Sequence, residues 1–433
     1  MKKFFFIFLL SVLCTFARAQ DSITARKHIE ILSSKDFHGR GIAYNGELKA
    51  AEYLREQLRH FGVEPLGDDF FQEYEHPGFS MEGEVFMEVN HQKLTPGNDF
   101  RIAPFSKSTD KSVNIITVKA KELTSDKKIA AINKKYASSM PSSMVYFDAS
   151  HVKIKKSSDN AYFQNSFSSD KNPFKSSGII KGVENMPSFG LSHTDKERDF
   201  AMIYVKASRM PEKATKATIR FNNRLIDYTH HNVCGIIHGS KYPKRYIVLT
   251  AHYDHLGAMG DEVYYPGAHD NASGCAMLLN FAQYFSEKNP EYSIVFLFFA
   301  GEESGLLGSK FFIDNPLINL EDIKYLINFD LLAAGDNGIT IVNSTEGEGL
   351  NLYKQLVQIN DEEKLLPKIV QRANTANSDH YFFTEKKVPA LFLYTMGGRT
   401  GAYHDPSDSS ENCTLTMFDN IFRLFIRLFE KSE

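Results

Sequence analysis

The stretch YSIVFLFFAGEESGLLGSKFFIDN, residues 292–315, joins one of the most apolar runs of the chain to two adjacent glutamates. Residues 292–300 are apolar at almost every position, which is typical of a strand that is covered on both faces of a sheet. Residues 304–315 then predict a helix. Glu302 and Glu303 therefore lie at the mouth of a buried strand, where two carboxylates repel each other and are costly to bury unpaired. We expect a positive charge to neutralise them.

The same alternation of apolar strands and helices runs through the chain after about residue 226. Continuously apolar strands that alternate with helices predict a three-layer αβα domain with a mixed, mainly parallel central sheet. Further strands are predicted within residues 245–257, 323–330 and 389–395, and further helices within residues 271–289 and 350–360.

The segment before residue 226 is of two kinds. Residues 21–33 and 45–61 have apolar residues at helical spacing and predict amphipathic helices. Residues 76–225 contain short alternating runs such as GEVFMEV and SSMVYFD, which predict strands. Lys- and Ser-rich stretches lie between these runs, without regular aromatic interleaving, and predict solvated loops rather than a nucleic-acid surface. We therefore expect a β-rich inserted domain over residues 76–225.

The first nineteen residues resemble an export signal. Lys2 and Lys3 precede an apolar run, and Ala17-Arg18-Ala19 forms a small-residue exit. A membrane anchor is the alternative, but the run is short for a bilayer span. Leu13 before Cys14 argues against a lipoprotein, and no later segment is apolar enough for a stable membrane span. The sequence predicts a cleaved signal peptide at residues 1–19 and a periplasmic or secreted protein.

Composition fits a globular protein rather than a disulfide-stabilised or nucleic-acid-binding one. The chain has 433 residues, of which 42% are hydrophobic and 24% charged, so we expect a sizeable core. A formal net charge of -3 gives no general attraction to nucleic acid or anionic membranes. Beyond the signal, Cys234, Cys275 and Cys413 are widely spaced and form neither a disulfide framework nor a CxxC metal motif.

Histidines and carboxylates follow five of the predicted segments at strand ends or just before a helix. Because ligand sites in open α/β sheets form beyond the carboxyl ends of the strands, these side chains should meet. Each one alone has an ordinary explanation; an aspartate before a helix, for example, can simply cap it. Together they favour a divalent metal. The residues are His252, Asp254, Asp270, Glu302, Glu303, Asp330 and His404.

The types of ligand narrow the choice of metal. Imidazole combined with carboxylate suits zinc and its first-row neighbours, whereas calcium or magnesium would take oxygen ligands only. Two histidines and three of these five carboxylates already exceed the needs of one tetrahedral catalytic zinc that keeps an open position. They suit two metals that share one bridging carboxylate.

The motifs HYDHLG, HDNASG, AGEESGLLGS, NFD and YHDPSD, in this order, resemble the co-catalytic di-zinc aminopeptidases of the aminopeptidase S and aminopeptidase Y type. Glutamate carboxypeptidase II and the glutaminyl cyclases are more distant relatives of that family. The opening segment, with FHGRG and AAEYLREQLRHFGVEPLG, is also similar. The resemblance covers about residues 22–75 and 226–430.

This resemblance implies two zinc ions per chain and a role for each residue of the site. Glu302 would be the general base, Asp254 would orient a metal-bound histidine, and Tyr403 would line the substrate pocket or simply pack as an aromatic. Asp408 would brace the final loop. His269 departs from the pattern, because relatives often have an acid there, and it would alter the pKa or polarity around the bridge. The implied metal ligands are Asp270 as the bridge, His252 and Asp330 at one metal, and Glu303 and His404 at the other.

The implied organisation is a signal peptide at 1–19, a peptidase domain formed by 20–75 and 226–433, and the insert at 76–225, which resembles a protease-associated domain in its late part. The implied function is an exported zinc aminopeptidase that removes N-terminal residues from peptides. Two alternatives stay open: a glutaminyl-peptide cyclotransferase-like enzyme, and a non-catalytic receptor or binding ectodomain on a peptidase fold. Peptides are the expected partners. The residue removed and the oligomeric state do not follow from the sequence.

Overall fold

The computed structural model describes residues 22–167, 171–191, 196–401 and 403–431. The predicted signal peptide, residues 1–19, lies outside these residues. The helices are α1 (Ser22–Leu32), α2 (Gly46–His60), α3 (Asp126–Lys135), α4 (Ser157–Ser166), α5 (Ser273–Ser286), α6 (Leu307–Asp314), α7 (Gly347–Glu363), α8 (His380–Glu385) and α9 (Phe418–Lys431). The strands are β1 (Glu64–Pro65), β2 (Phe71–Glu75), β3 (Gly78–Val89), β4 (Gln92–Leu94), β5 (Phe100–Ile102), β6 (Thr109–Thr117), β7 (Ser143–Asp148), β8 (Gly178–Val183), β9 (Ala201–Lys206), β10 (Lys216–Ile226), β11 (Thr229–Ile237), β12 (Tyr242–His252), β13 (Ala258–Met259), β14 (Val263–Tyr264), β15 (Tyr292–Phe299), β16 (Ile323–Phe329), β17 (Ile339–Val342), β18 (Ile369–Arg372) and β19 (Ala390–Thr395).

The first sheet is mixed, as expected, and has the order β1-β11-β15-β12-β16-β19-β17-β18, with β2 also paired to β11. Its four central strands, β15, β12, β16 and β19, run parallel. Antiparallel pairs flank them, β11 with β15 on one side and β17 with β19 on the other. The carboxyl ends of the four central strands therefore lie at one edge of the sheet.

Strand β15 illustrates why this sheet is covered on both faces. Successive side chains of a strand point to opposite faces, and both sets in β15 are apolar and buried. Ile294, Phe296 and Phe298 join a core formed with helices α1, α2, α5, α7 and α9. The alternate residues, such as Val295 and Leu297, join a second core formed with α6 and α8. The predicted three-layer αβα arrangement is confirmed, and the cysteines of both cores are free and buried.

A second sheet is formed by residues between Gly78 and Ile226, in the order β4-β3-β10-β6-β7-β8-β9-β5. Helices α3 and α4 cover one of its faces through residues such as Ile129 and Phe163. Its other face packs on residues 256–265 of the loops that follow β12, including the fully buried Tyr265. The division of the chain into separate domains stays a prediction.

One expectation for this segment was wrong. The Lys- and Ser-rich stretch after residue 150 was expected to be a solvated loop, but it contains helix α4. Phe163 is the buried residue of this helix, so the sequence has no apolar stripe of helical spacing.

Among the helices of the described ranges, none has both the length and the apolar character needed to cross a bilayer.

Candidate metal centre

The register of the central strands brings the predicted site together. His252 is the last residue of β12 and pairs with Phe299, the last residue of β15. Asp330 directly follows β16, and Glu302 and Glu303 follow β15 after a short turn. Parallel strands that end at one edge thus deliver an imidazole and several carboxylates to the same point.

Asp270 lies at the centre of the cluster, in the segment that leads into α5. Its Oδ1 atom is 3.3 Å from His252 Nε2, and His252 Nε2 is also 3.4 Å from Asp330 Oδ1. Its Oδ2 atom is 3.2 Å from His404 Nε2, which lies 3.1 Å from Glu303 Oε2. One carboxylate therefore separates two pairs, each made of one histidine and one acid.

The donor atoms fit zinc. Asp330 Oδ1 and His404 Nε2 are buried, and neither makes a hydrogen bond to any described residue. Buried polar atoms normally have a hydrogen-bond partner, so one unsatisfied donor atom in each of the two pairs indicates a missing ligand there. Imidazole nitrogen with carboxylate oxygen is the donor set of zinc and its neighbours.

The charges of the cluster also call for cations. Burial alone would lower the pKa of His404, but the carboxylates of Asp270 and Glu303 raise it to about 10. Burial, together with the charges of Glu303, Asp379 and other acids, raises the pKa of Glu302 well above its usual range. Excess negative charge that is shielded from water is what a pair of divalent ions would neutralise.

Asp254 contacts the site in two ways. Its carboxylate oxygens accept the backbone N–H groups of Glu302 and Glu303, at 3.1 and 3.2 Å. His252 Nδ1 lies 3.2 Å from the backbone carbonyl of Asp254 and 3.7 Å from its carboxylate. The nearer partner of the histidine is thus the carbonyl, while the carboxylate fixes the turn that carries the two glutamates.

Two buried side chains hold the segment that contains Asp270. Asp408 accepts the backbone N–H groups of His269 and Asp270, at 2.8 and 3.1 Å, so it contacts the bridge segment rather than the metal-facing atoms. Arg40 donates to five backbone carbonyls, which belong to Leu32, Tyr253, Pro266, Gly267 and Asp270. His269 accepts a hydrogen bond at Nδ1 from the backbone of Ala333.

Tyr403 stands at the exposed side of the cluster. Its ring stacks on His404, with 3.7 Å between the ring centroids. The residue is 57% exposed, which differs from the packed aromatic that was one of its two expected roles. On the other side of the imidazole, His404 Nδ1 lies 2.8 Å from the backbone carbonyl of Phe189.

Sequence reasoning assigned no role to His255 and Ser378. His255 Nδ1 lies 2.7 Å from Glu303 Oε1, and His255, Asp270 and Glu303 offer donor atoms within 4.8 Å of one another. His255 therefore offers a further imidazole to the half of the site that contains His404. Ser378 donates to Asp330 Oδ2 at 2.9 Å. The motif HYDHLG contained the signal for His255, whereas nothing near Ser378 marks it.

Residues 232–429 match the model of peptidase family M28. The chain is 37% identical over 108 residues to a probable zinc metalloprotease of Pyricularia oryzae, a match that covers 24% of this chain and 21% of that protein. It is 28% identical over 231 residues to glutaminyl-peptide cyclotransferase of Drosophila melanogaster, covering 46% and 64%. It is 25% identical over 268 residues to leucine aminopeptidase 2 of Trichophyton equinum, covering 55% and 51%. The chain thus spans less than two thirds of each of these relatives.

Solved structures share the fold over nearly the whole chain. A zinc aminopeptidase from Bacillus subtilis superposes with a TM-score of 0.68 and 15% identity, covering 95% of both chains. An aminopeptidase from Aneurinibacillus sp. strain AM-1 superposes with a TM-score of 0.60 and 18% identity, covering 95% of this chain and 94% of that one. The resemblance seen in the sequence is confirmed, because residues 232–429 match peptidase family M28 and the fold is that of solved aminopeptidases.

Proposed function

We propose that this chain is an exported zinc aminopeptidase that removes residues from the amino terminus of peptides. The observation that carries the proposal is the position of Asp270, whose two carboxylate oxygens face two separate histidine–carboxylate pairs. The relatives named as zinc metalloprotease and leucine aminopeptidase support the same reaction class.

Two zinc ions would be held by five residues. His252 and Asp330 would bind one, Glu303 and His404 the other, and Asp270 would bridge them. When bound, such a pair supplies Lewis acidity and a water of lowered pKa. His255 is a further candidate ligand, because its Nδ1 atom lies beside Glu303.

Glu302 is proposed as the general base. It follows the same strand as Glu303, whose carboxylate contacts the imidazoles of His255 and His404. A donor atom of Glu302 lies within 4.8 Å of donor atoms of His252 and Asp330, beside the other half of the site. A positioned carboxylate that binds no metal can take a proton from water and release it again. Glu302 would accept a proton from the attacking water and pass it to the leaving amine. The backbone bond to Asp254 would hold it in place.

Export and the role of the insert are part of the proposal. Lys2, Lys3 and the apolar run that follows support a signal peptide at residues 1–19. Residues 76–225 are proposed as an inserted domain because they contain nearly all of the second sheet and form the core on one of its faces by themselves.

Glutaminyl-peptide cyclisation is the second candidate, and the match to the Drosophila cyclotransferase favours it. The presence of two histidine–carboxylate pairs argues for hydrolysis, since it provides for two metals. The two reactions give different products from a peptide that begins with glutamine: cyclisation loses ammonia, whereas hydrolysis releases a free residue.

The proposal is tested with purified protein, a peptide library and mass spectrometry. We expect peptides to shorten from the amino terminus, activity to disappear with a chelator, and zinc to restore it. Shortening from the carboxyl terminus would overturn the aminopeptidase assignment. Loss of ammonia from glutamine-initiated peptides without shortening would favour the cyclotransferase instead. A protein that binds zinc but changes no peptide would favour the binding ectodomain.

A further inference from the structure

The second sheet contacts the candidate metal centre through the chain that connects β8 and β9. Phe189, in this connection, accepts a hydrogen bond at its carbonyl from His404 Nδ1 at 2.8 Å. Its own backbone N–H donates to the carbonyl of His404 at 3.0 Å. Because a carbonyl can only accept, the contact at Nδ1 requires a proton there, which leaves Nε2, the nitrogen beside Asp270 and Glu303, to bind a metal.

Phe189 is itself held by packing. Its ring stacks on the buried ring of Tyr265, with centroids 4.5 Å apart and 12° between the planes. Tyr265 belongs to the loops after β12, a strand of the first sheet. The stack therefore joins the β8–β9 connection of the second sheet to the part of the fold that contains the first sheet. The position of the Phe189 carbonyl therefore depends on how these two parts are fixed to each other.

Arg101 of β5 fixes these two parts of the fold to each other. The residue is only 4% exposed. Its Nη1 atom donates to the carbonyl of Pro187 at 2.8 Å, and its Nη2 atom donates to Asp405 Oδ2 at 2.5 Å. Pro187 is two residues before Phe189, and Asp405 directly follows His404. One buried guanidinium thus binds both segments that meet at the His404 imidazole.

We propose that Arg101 is a positioning residue for the metal ligand His404, which makes the second sheet a structural part of one of the two metal sites. The inference rests on the two-zinc site of the proposed function. Outer partners of a metal-bound histidine fix its orientation and tautomer, and their loss typically lowers metal affinity by about 10- to 100-fold.

Replacement of Arg101 should weaken the binding of only one of the two zinc ions. His252, the histidine of the other pair, has its Nδ1 atom against the Asp254 carbonyl, at the end of its own strand. Asp330 accepts a hydrogen bond from Ser378, which also lies in the part of the fold that contains the first sheet. These partners are independent of Arg101, so the site of His252 and Asp330 should keep its affinity.

The test is a calorimetric zinc titration of the metal-free full chain. Arg101→Met should weaken one of two binding steps by about 10- to 100-fold and leave the other unchanged. Arg220→Met is the matched control: Arg220 also lies in the second sheet, binds Glu84 at 3.0 Å and covers the ring of Phe86 at 4.3 Å, but it is exposed. The control should bind two zinc ions as the wild type does.

Two further variants keep the test decisive if Arg101→Met folds poorly. Arg101→Lys keeps the charge without the planar fork and should recover part of the lost affinity. Asp405→Asn weakens the same bridge from the other side and should weaken the same step.

Cobalt substitution in Arg101→Met should show the absorption of one metal site lost and that of the other retained. Wild-type affinity for both ions in Arg101→Met or Asp405→Asn would overturn the inference. Fewer than two zinc ions in the wild type would overturn the two-zinc proposal itself.

Discussion

The Oδ2 atom of Asp270 lies 3.2 Å from the Nε2 atom of His404, although the two residues come from distant segments of the chain. The other oxygen of the same carboxylate faces His252. Several more acids are buried around this carboxylate, so the cluster carries an excess of negative charge that bound metal cations would offset. The account of function depends on this arrangement.

Glu302→Gln should keep both zinc ions and lose most turnover. The amide has nearly the same shape but cannot accept a proton, and general acid–base catalysis typically contributes 10²- to 10⁴-fold. We expect kcat to fall by about 10²-fold or more, measured with an aminoacyl reporter, while the zinc content is unchanged. Glu303→Gln is the comparison, since loss of a ligand should reduce zinc content as well. Near-normal turnover in Glu302→Gln would exclude this residue as the base.

Ser378→Ala should weaken the metal site of His252 and Asp330. The hydroxyl donates to Asp330 Oδ2 and in turn accepts from Asn328 Nδ2 at 2.7 Å, so it fixes the carboxylate from behind. We expect one zinc-binding step to weaken by about tenfold, in calorimetric titration, with the other step unchanged. Ser378→Thr retains a hydroxyl and serves as the control. If Ser378→Ala binds both ions normally, the hydrogen bond does not support the metal site.

Arg40→Met should destabilise the fold strongly. The guanidinium is fully buried and satisfies five carbonyls, and each carbonyl left without a partner costs about 1–3 kcal/mol. The free energy of unfolding should fall by at least about 3 kcal/mol in urea denaturation, because several carbonyls lose their donor together. Arg220→Met, at an exposed site, should change it by less than about 1 kcal/mol. Equal effects of the two substitutions would contradict this role of Arg40.

Stability should fall in acid partly because of His28. Burial, assisted by the charge of Lys27, lowers the pKa of His28 from 6.5 to about 4. As the pH falls, the unfolded chain takes up this proton near 6.5 and the folded chain only near 4, so stability is lost between these values. The slope contributed is roughly 1.4 kcal/mol per pH unit.

His28→Gln removes the titrating group and keeps a hydrogen-bonding side chain beside Tyr53. The free energy of unfolding of metal-free protein, measured between about pH 4 and 6.5, should then depend less steeply on pH by roughly that amount. An unchanged slope would show that folding does not lower the pKa of His28.

The part of the fold that contains the first sheet was predictable, because the central strands of that sheet are buried on both faces. Such strands appear in the sequence as continuous apolar runs, and the residues that follow them must lie at the sheet edge. His252, the pair Glu302–Glu303 and Asp330 could be placed at one point for that reason, whereas the choice between the two glutamates came from the family resemblance. Helix α4 could not be predicted, because Phe163 is its buried residue, Tyr162 is only partly buried, and its other residues carry no helical apolar pattern.

The parts of the site that could not be predicted are those formed by long-range contacts. The partner of His404 is a backbone carbonyl, that of Phe189, and a carbonyl has no signature in the sequence. Arg40 and Arg101 are buried arginines, whereas arginine is ordinarily exposed, so neither was a candidate for the interior. Ser378 lies in a loop that is distant in sequence from Asp330, although the two side chains are hydrogen-bonded.

The zinc stoichiometry of active protein tests the central claim most directly. Metal-free protein is titrated with zinc while both bound metal and release of an N-terminal residue are followed. The account predicts that activity reaches its maximum with two zinc ions bound per chain and that Asp270→Asn, which weakens the shared ligand, loses affinity at both steps. Full activity with one zinc ion per chain, or a normal second site in Asp270→Asn, would contradict it.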